Sequence, residues 1–483
     1  MESGKCGRTA KSNTTEFASG EGFGLPLLVA AGAGLALRLL VVAFVYQGFL
    51  DPGRDHWEFG YEAGHVARSI ATGGGFANPY WGDSGPTALV APVYPYLISA
   101  VFRISGVYTK ASALVLLTLN CLFSALTCFP VFFVALRSFG LRTAKWATWL
   151  WACFPYAVNF SANGMWNHSL AALLIALLFL LAQHLESTDR ALPWIVFGFL
   201  FGFSALVSPT ILGIMPFLGG WACFRLEQQR RRWRKAATAS TLAMLVTIAP
   251  WLLRNYLTFQ RPVFLQDNFW MEVCVGNLGN ARHWWNGDVH PSGSVVDLHE
   301  YLRLGETGYM AEKRQQALAF IASNPGTYML RSVRRVVFMW TGFWSMNRDY
   351  LREEPLDPEN ILFLTSFTVL SLGGLYRAFR KVPQKAMPYF LVIITFPDIY
   401  YLSHPDPGYR HPMDPLLVML ASYLLVSRFS HSRGIVPGAE NRPSRSGKAD
   451  RITKWACPFL GGGPRLLLHG EACPLPLGGE GGP

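Results

Sequence analysis

Charge is what this chain has least of: across 483 residues only 15% are Asp, Glu, Lys or Arg, against 51% hydrophobic and 14% aromatic. That balance excludes an ordinary soluble multidomain protein and fits a polytopic membrane protein. Acidic residues are scarcer than basic ones, 30 against 42, and in a soluble protein the net charge of +12 would suggest nucleic acid. Here Lys and Arg gather in short loops between apolar runs, where they report topology. Ordered cysteine is also missing. The 8 cysteines are scattered, with Cys121, Cys128, Cys153 and Cys223 inside apolar stretches and no CxxC pair. Neither a disulfide framework nor a metal knuckle is indicated, and no repeat of solenoid period is visible.

What the chain does have is apolar runs suited to a hydrocarbon core of about 30 Å. They lie near residues 24–46, 111–136, 144–160, 166–184, 192–207, 209–225, 236–253, 359–376, 386–403 and 412–428. Two further stretches, 88–106 and 327–344, are read as interfacial. That choice places the three basic clusters around Arg137, Arg231 and Arg380 on one side, as the positive-inside rule requires. The expected fold is an all-α polytopic membrane protein of about ten (10–13) transmembrane helices, both termini cytoplasmic. Residues 1–23 are expected to be a cytoplasmic leader, 24–428 the membrane domain and 429–483 a disordered cytoplasmic tail rich in Gly, Pro, Arg and Ser.

This topology puts 47–110, 160–167, 254–358 and 403–412 on the outer face, and the polar chemistry concentrates there. Read as a helix, "HWEFGYEAGHVARSIA" sets Phe59, Ala63, Val66 and Ile70 on one face and Glu58, Glu62, His65 and Ser69 on another. A plain solvated face is the common reading of two such glutamates. Their company argues for more.

The acidic helix ending in "GGGF", then "PVYPY", then "APWLLRNYLTF" (249–259), "DNFWMEVCVGN" (267–277) and "GYRHPMDPLL" (408–417) follow one another in an order that resembles a known family. It is similar to the GT-C superfamily of polyprenyl-phosphate-sugar-dependent glycosyltransferases, in particular the bacterial enzymes related to protein O-mannosyltransferases and the lipid A aminoarabinose transferase. The resemblance covers residues 25–428. The chain departs from the pattern in opening the first outer helix with Trp57-Glu58 rather than Asp-Glu. It also carries Asn167 and His168 where many relatives hold an acid.

The resemblance implies an inverting transfer of a monosaccharide from a polyprenyl phosphate to a lipid, protein or glycan acceptor on the periplasmic face of a bacterial inner membrane. Such a reaction needs a base for the acceptor proton and cations for the departing phosphate. Glu58 is the expected base, with Glu62 and Asp55 as rivals one turn away. Arg254 and Arg410, at the outer ends of spans, are the expected phosphate ligands. Tyr409, His411, Asn167, His168, Asp267 and Glu272 are candidate substrate contacts. His404, Asp406, His411 and His290 match no recognised metal spacing, so no metal site is assigned, although a divalent cation is left open. Arg38, inside the first span, reads either as a functional flag, the default for an intramembrane cation, or as a packing pair with a carboxylate or carbonyl, and is left out of the site. Trp284, Trp285, Tyr301 and Tyr309 suit an interfacial aromatic belt, with stacking on a sugar or an acceptor as the alternative. The competing classes are a transporter or flippase of lipid-linked sugars and an O-antigen ligase or polymerase. The visible absence of polar residues repeated at the midplane in two halves weighs against transport.

Overall fold

Helix is the economical way to satisfy backbone groups in lipid, and the computed structural model is helical throughout. It describes residues 24–45, 59–279, 286–344 and 357–432. Asp55, Trp57, Glu58, Trp284, Trp285, the leader 1–23 and the tail from 433 lie outside the described residues. A lone antiparallel bridge, Ala77 to Pro86, stands where a strand would be.

In chain order, α1 (Gly24–Phe44) is followed by short α2 (Glu62–Ala71) and α3 (Val93–Ser105). Then α4 (Lys110–Leu126) and α5 (Cys128–Phe139) run nearly as one helix. α6 (Leu141–Ala152) and α7 (Pro155–Ala162) precede α8 (His168–Leu185) and α9 (Ala191–Val207), and a 3-10 turn (Pro209–Ile214) leads into α10 (Met215–Gln228) and α11 (Arg234–Phe259). α12 (Phe269–Asn277), α13 (Val295–Ser323) and α14 (Pro325–Thr341) come next. The chain then forms α15 (Asp357–Lys381), α16 (Pro383–Thr395), α17 (Asp398–Leu402), α18 (Pro407–Arg410) and α19 (Asp414–Ser432).

Among the described residues, 7 stretches are long and apolar enough to cross a membrane: α1, α4 with α5, α8, the 3-10 turn with α10, α11, α15, and α18 through α19. The all-α membrane architecture therefore holds, while three of the ten expected runs fall on shorter helices. α9 is apolar but only 17 residues long. The run 144–160 breaks at Phe154-Pro155, because proline removes a helical donor and disfavours helix in the residue before it. Phe154 is extended, at φ −66° and ψ 119°. The orphan carbonyls at that break are taken up by Arg38, which donates to Ala152 O at 2.7 Å and Trp151 O at 3.2 Å. Its Nε reaches Ser124 Oγ at 3.0 Å. An arginine inside the first span is thus a cap for a neighbouring helix end. The run 386–403 divides at Phe396-Pro397, between α16 and α17, where Pro397 lacks the helical donor although Phe396 itself stays helical at φ −68° and ψ −42°. The interfacial stretches 88–106 and 327–344 form α3 and α14, and neither is among the seven.

α9 and α11 approach by backbone contact. A Cβ at Gly198 would sit 1.9 Å from Ser240 O, and one at Gly202 would sit 2.7 Å from Thr247 Cβ. This small-xxx-small spacing is the general device for close helix approach in lipid.

α2 sits lower in the structure than its pattern predicts. Phe59, Ala63, Val66 and Ile70 are buried as expected, but His65 and Ser69 are buried as well. The chain after α2 folds back over it, and Pro79 O lies 3.0 Å from His65 Nδ1. Glu62, Arg68 and Ala71 are left as its partly open residues.

Candidate functional site

A cavity of about 630 Å³ opens between α2, α3, the start of α8, the 3-10 turn, α12 and the α17–α18 turn. Its wall is mostly apolar, with Val90, Tyr94, Leu212 and Phe396 among the lining, and it also carries the carboxylates Glu62, Glu272 and Asp398 and the imidazoles His168 and His404. Among its described lining residues there is no Lys or Arg.

Glu62 opens α2, where the positive end of the helix dipole favours an acid. Burial pushes its pKa up to about 8, with the charge of Glu272 adding to the rise. His290 Nε2 lies 3.9 Å from Glu62 Oε1. Ser292 N–H donates to His290 Nδ1 at 3.1 Å, and burial lowers the imidazole to about 3. The neutral ring therefore carries its proton on Nε2, the nitrogen that faces Glu62.

Glu272 belongs to α12, and Asn268 Nδ2 donates to its Oε1 at 3.0 Å. Burial raises it to about 7, that hydrogen bond opposing the shift. Its Oε2 lies 3.3 Å from His404 Nδ1, and His404 Nε2 lies 3.2 Å from the Tyr409 hydroxyl. Burial and the nearby Arg335 lower His404 to about 4. Tyr409 in turn stacks on Tyr400 with centroids 4.7 Å apart and planes at 13°. This contact depends on glycine one turn beyond Glu272. A Cβ at Gly276 would fall 1.9 Å from Ser403 O, so only glycine lets α12 close on the turn that carries His404. Arg335 of α14 locks the same junction by donating to Gly276 O at 2.7 Å and Tyr401 O at 3.2 Å.

The structure brings five of the expected residues to this cavity: Glu62, Asn167, His168, Glu272 and Tyr409. Asn167 is held by a hydrogen bond from its Nδ2 to Val207 O at 2.7 Å. His168 packs edge-on against Phe160 at 5.4 Å. Arg254, Asp267, Arg410 and His411 are not on the cavity wall. Arg254 donates to Thr87 O at 2.6 Å and Phe76 O at 2.7 Å, and its guanidinium lies 4.9 Å from the Trp251 ring centroid. Asp267 donates its backbone N–H to Ala88 O at 3.1 Å, and burial raises its carboxyl to about 6. Arg410 and His411 flank Asp414, with Nε at 3.1 Å from Oδ1 and Nδ1 at 3.1 Å from Oδ2. Arg410 Nη1 and Nη2 are buried with no hydrogen-bond partner among the described residues. The expected base Glu58 lies outside the described residues.

His290 and His404, weighed in the sequence only as metal ligands, stand beside the two carboxylates. Their signal was weak, because each is far along the chain from the carboxylate it faces. Among the described residues no group of three or more His, Cys, Asp or Glu is arranged to hold a metal ion. Chemically, the cavity offers two carboxylates, Glu62 and Glu272, that a neutral pH can protonate or ionise, each faced by a neutral imidazole. Its apolar lining can receive a hydrocarbon chain.

Residues 89–253 match a family model described as dolichyl-phosphate-mannose-protein mannosyltransferase. That segment supplies Val90, Tyr94, Asn167, His168 and Thr210 to the cavity wall. No curated protein matches the chain significantly. Among solved structures, the archaeal oligosaccharyltransferase AglB from Archaeoglobus fulgidus, in complex with an inhibitory peptide and a dolichol-phosphate, is similar at 17% identity with a TM-score of 0.48. The likeness covers 87% of this chain and 52% of that one. ArnT from Cupriavidus metallidurans in the apo state is similar at 16% identity and a TM-score of 0.46, over 84% and 62% of the two chains. The same protein bound to undecaprenyl phosphate gives 13% and 0.33, over 83% and 79%. The chain spans about half the length of the oligosaccharyltransferase structures it matches.

Proposed function

We propose that this chain is a membrane glycosyltransferase of the GT-C superfamily, a reading that its match over residues 89–253 supports, that it moves a monosaccharide from a polyprenyl-phosphate donor to an acceptor, with inversion, and that Glu62 is the base. The observation that carries the reading is the cavity itself: a largely apolar wall that suits an isoprenoid tail and, in that wall, a buried carboxylate whose pKa is raised to about 8.

In the proposed step an acceptor hydroxyl or amine attacks the anomeric carbon while Glu62 takes its proton. The carbon–oxygen bond to the phosphate breaks on the opposite face, and the electron pair leaves with the polyprenyl phosphate. A base of this kind works best with a pKa near the operating pH, which burial supplies for Glu62. His290 Nε2–H and the Glu272–His404 pair orient the acceptor side. Arg410, whose Nη groups lack partners among the described residues and which lies between the lining residues Tyr409 and Pro412 in the chain, is the proposed cation for the phosphate. Arg254 is a weaker candidate for that role, since main-chain carbonyls already occupy it. The membrane is proposed to be a bacterial inner membrane, with both termini cytoplasmic and the cavity open to the outer leaflet.

The test is release of free polyprenyl phosphate by purified protein in lipid nanodiscs, using a panel of polyprenyl-phosphate sugars and acceptors. Wild type should release it, Glu62→Gln should not, and Glu58→Gln should retain most of the rate. Loss in Glu58→Gln with full activity in Glu62→Gln would move the base to Glu58.

A further inference from the structure

Thr87 is gripped from two sides. Its carbonyl oxygen accepts from Arg254 at 2.6 Å, and its hydroxyl donates to Glu306 Oε2 while accepting the Leu89 N–H at 2.9 Å. Glu306 collects two more donors: the Ala88 N–H at 2.6 Å on Oε1 and the Tyr301 hydroxyl at 2.9 Å on Oε2. Thr87, Ala88, Tyr301 and Glu306 are all buried. The same short stretch binds the far wall of the cavity. Ala88 O accepts the Asp267 N–H at 3.1 Å, and Leu89 O accepts from Gln266 Nε2 at 3.2 Å. Asn268, next in the chain, donates to Glu272 at 3.0 Å. Val90 and Gln266 both line the cavity.

We infer that Glu306 is a positioning residue: it clamps residues 87–89 and so sets both Val90 and the Gln266–Glu272 wall of the cavity, without touching what the cavity binds. A carboxylate can accept from three donors at once, whereas its protonated form, or a glutamine, must itself donate and so requires the Thr87 or Tyr301 hydroxyl to turn round and accept. That rearrangement loosens the grip on residues 87–89, and a buried donor left without a partner is costly.

The clamp also carries a pH dependence. Burial raises Glu306 to about 7, while its hydrogen bonds with Thr87, Ala88 and Tyr301 pull it down. The other charged or titratable groups that sense it are Asp267, Arg254, Tyr301 and Tyr80. As the pH rises through 7 the carboxylate ionises, all three donors are satisfied, and the clamp tightens. Ionising a buried group still costs desolvation, so the gain is local order in 87–89 and not global stability.

The experiment is hydrogen exchange, followed by mass spectrometry on the segment containing residues 87–89, corrected for the intrinsic rate, in nanodiscs at pH 6 and pH 8. Binding of undecaprenyl phosphate is measured in parallel. Wild type should be better protected at pH 8 than at pH 6. Glu306→Gln should exchange about tenfold faster at pH 8 with no pH dependence, and bind the probe about tenfold more weakly. Tyr301→Phe, which removes one donor and leaves the carboxylate, should keep the pH dependence and guards against a variant that fails to fold. Equal protection in wild type and Glu306→Gln, or pH-independent protection in wild type, overturns the clamp. The probe-binding arm rests on the proposed donor site: if wild type binds no undecaprenyl phosphate, that reading fails while the exchange result still decides the clamp.

Discussion

Glu306 and Glu62 are two carboxylates withdrawn from solvent, and the difference between them separates structure from chemistry in this molecule. Glu306 is met by three donors and stands outside the cavity. Glu62 lines the cavity, and the group facing it is a histidine 3.9 Å away, beyond hydrogen-bond length. Both are raised by burial, to about 7 and about 8 respectively. A satisfied carboxylate holds a fold together, whereas a weakly partnered one is available to a ligand. The arginines divide in the same way. Arg38 and Arg254 are spent on main-chain carbonyls, while Arg410 keeps two Nη groups without partners among the described residues.

The comparison breaks first at Glu62→Gln. Polyprenyl phosphate release should fall by about 10²-fold or more, the usual scale for a lost general base, while the thermal midpoint stays the same or rises. Glu306→Ala should do the reverse to stability. At pH 5, where Glu306 is protonated and carries no desolvation cost, leaving a buried donor unpaired costs about 2 kcal/mol, which a thermal melt in nanodiscs would register as a lowered midpoint. Should Glu306→Ala melt like wild type at pH 5, the contrast between the two carboxylates fails.

The third effect is smaller and concerns pH. Glu62, Glu272 and Glu306 all have folded-state pKa values above the ordinary carboxylate value of 4.5. Their contribution to stability is therefore fully present below that value and is lost as the pH climbs through about 7 to 8. The midpoint should drop between pH 5 and pH 8, and less steeply in Glu62→Gln. A midpoint that rises over this window would contradict the burial-driven shifts. The smallest effect is expected of His404→Gln, which loosens Glu272 without removing it and should weaken undecaprenyl phosphate binding by about threefold, roughly the scale of one modest polar contact.

Much of the fold is legible in the amino-acid sequence. Apolar run length locates the long helices, and the two stretches read as interfacial, 88–106 and 327–344, fall on α3 and α14, which are not among the seven long apolar stretches of the described residues. Hydropathy cannot see that Pro155 and Pro397 divide two of the runs, because an apolar stretch reads the same whether or not its backbone is continuous. Residue type and motif order bring Glu62, Asn167, His168, Glu272 and Tyr409 into consideration, and the cavity collects all five. Partners far apart in the chain stay hidden. Thr87 meets Glu306 across 219 positions, and no local pattern around Glu306 marks it beyond the kink at Gly305, where φ is 68°. Arg254 reads as a phosphate ligand from its depth, and depth alone does not tell a free guanidinium from one already held by Thr87 and Phe76.

The most direct test of the account is the single-turnover rate of polyprenyl phosphate release as a function of pH, wild type beside Glu62→Gln. With Glu62 as the base, the wild-type rate should climb about tenfold per pH unit and level off near pH 8, where the carboxylate becomes ionised. Glu62→Gln should be slow and flat. A wild-type rate independent of pH between about 5.5 and 9, or a Glu62→Gln profile that climbs in parallel with wild type, would contradict it.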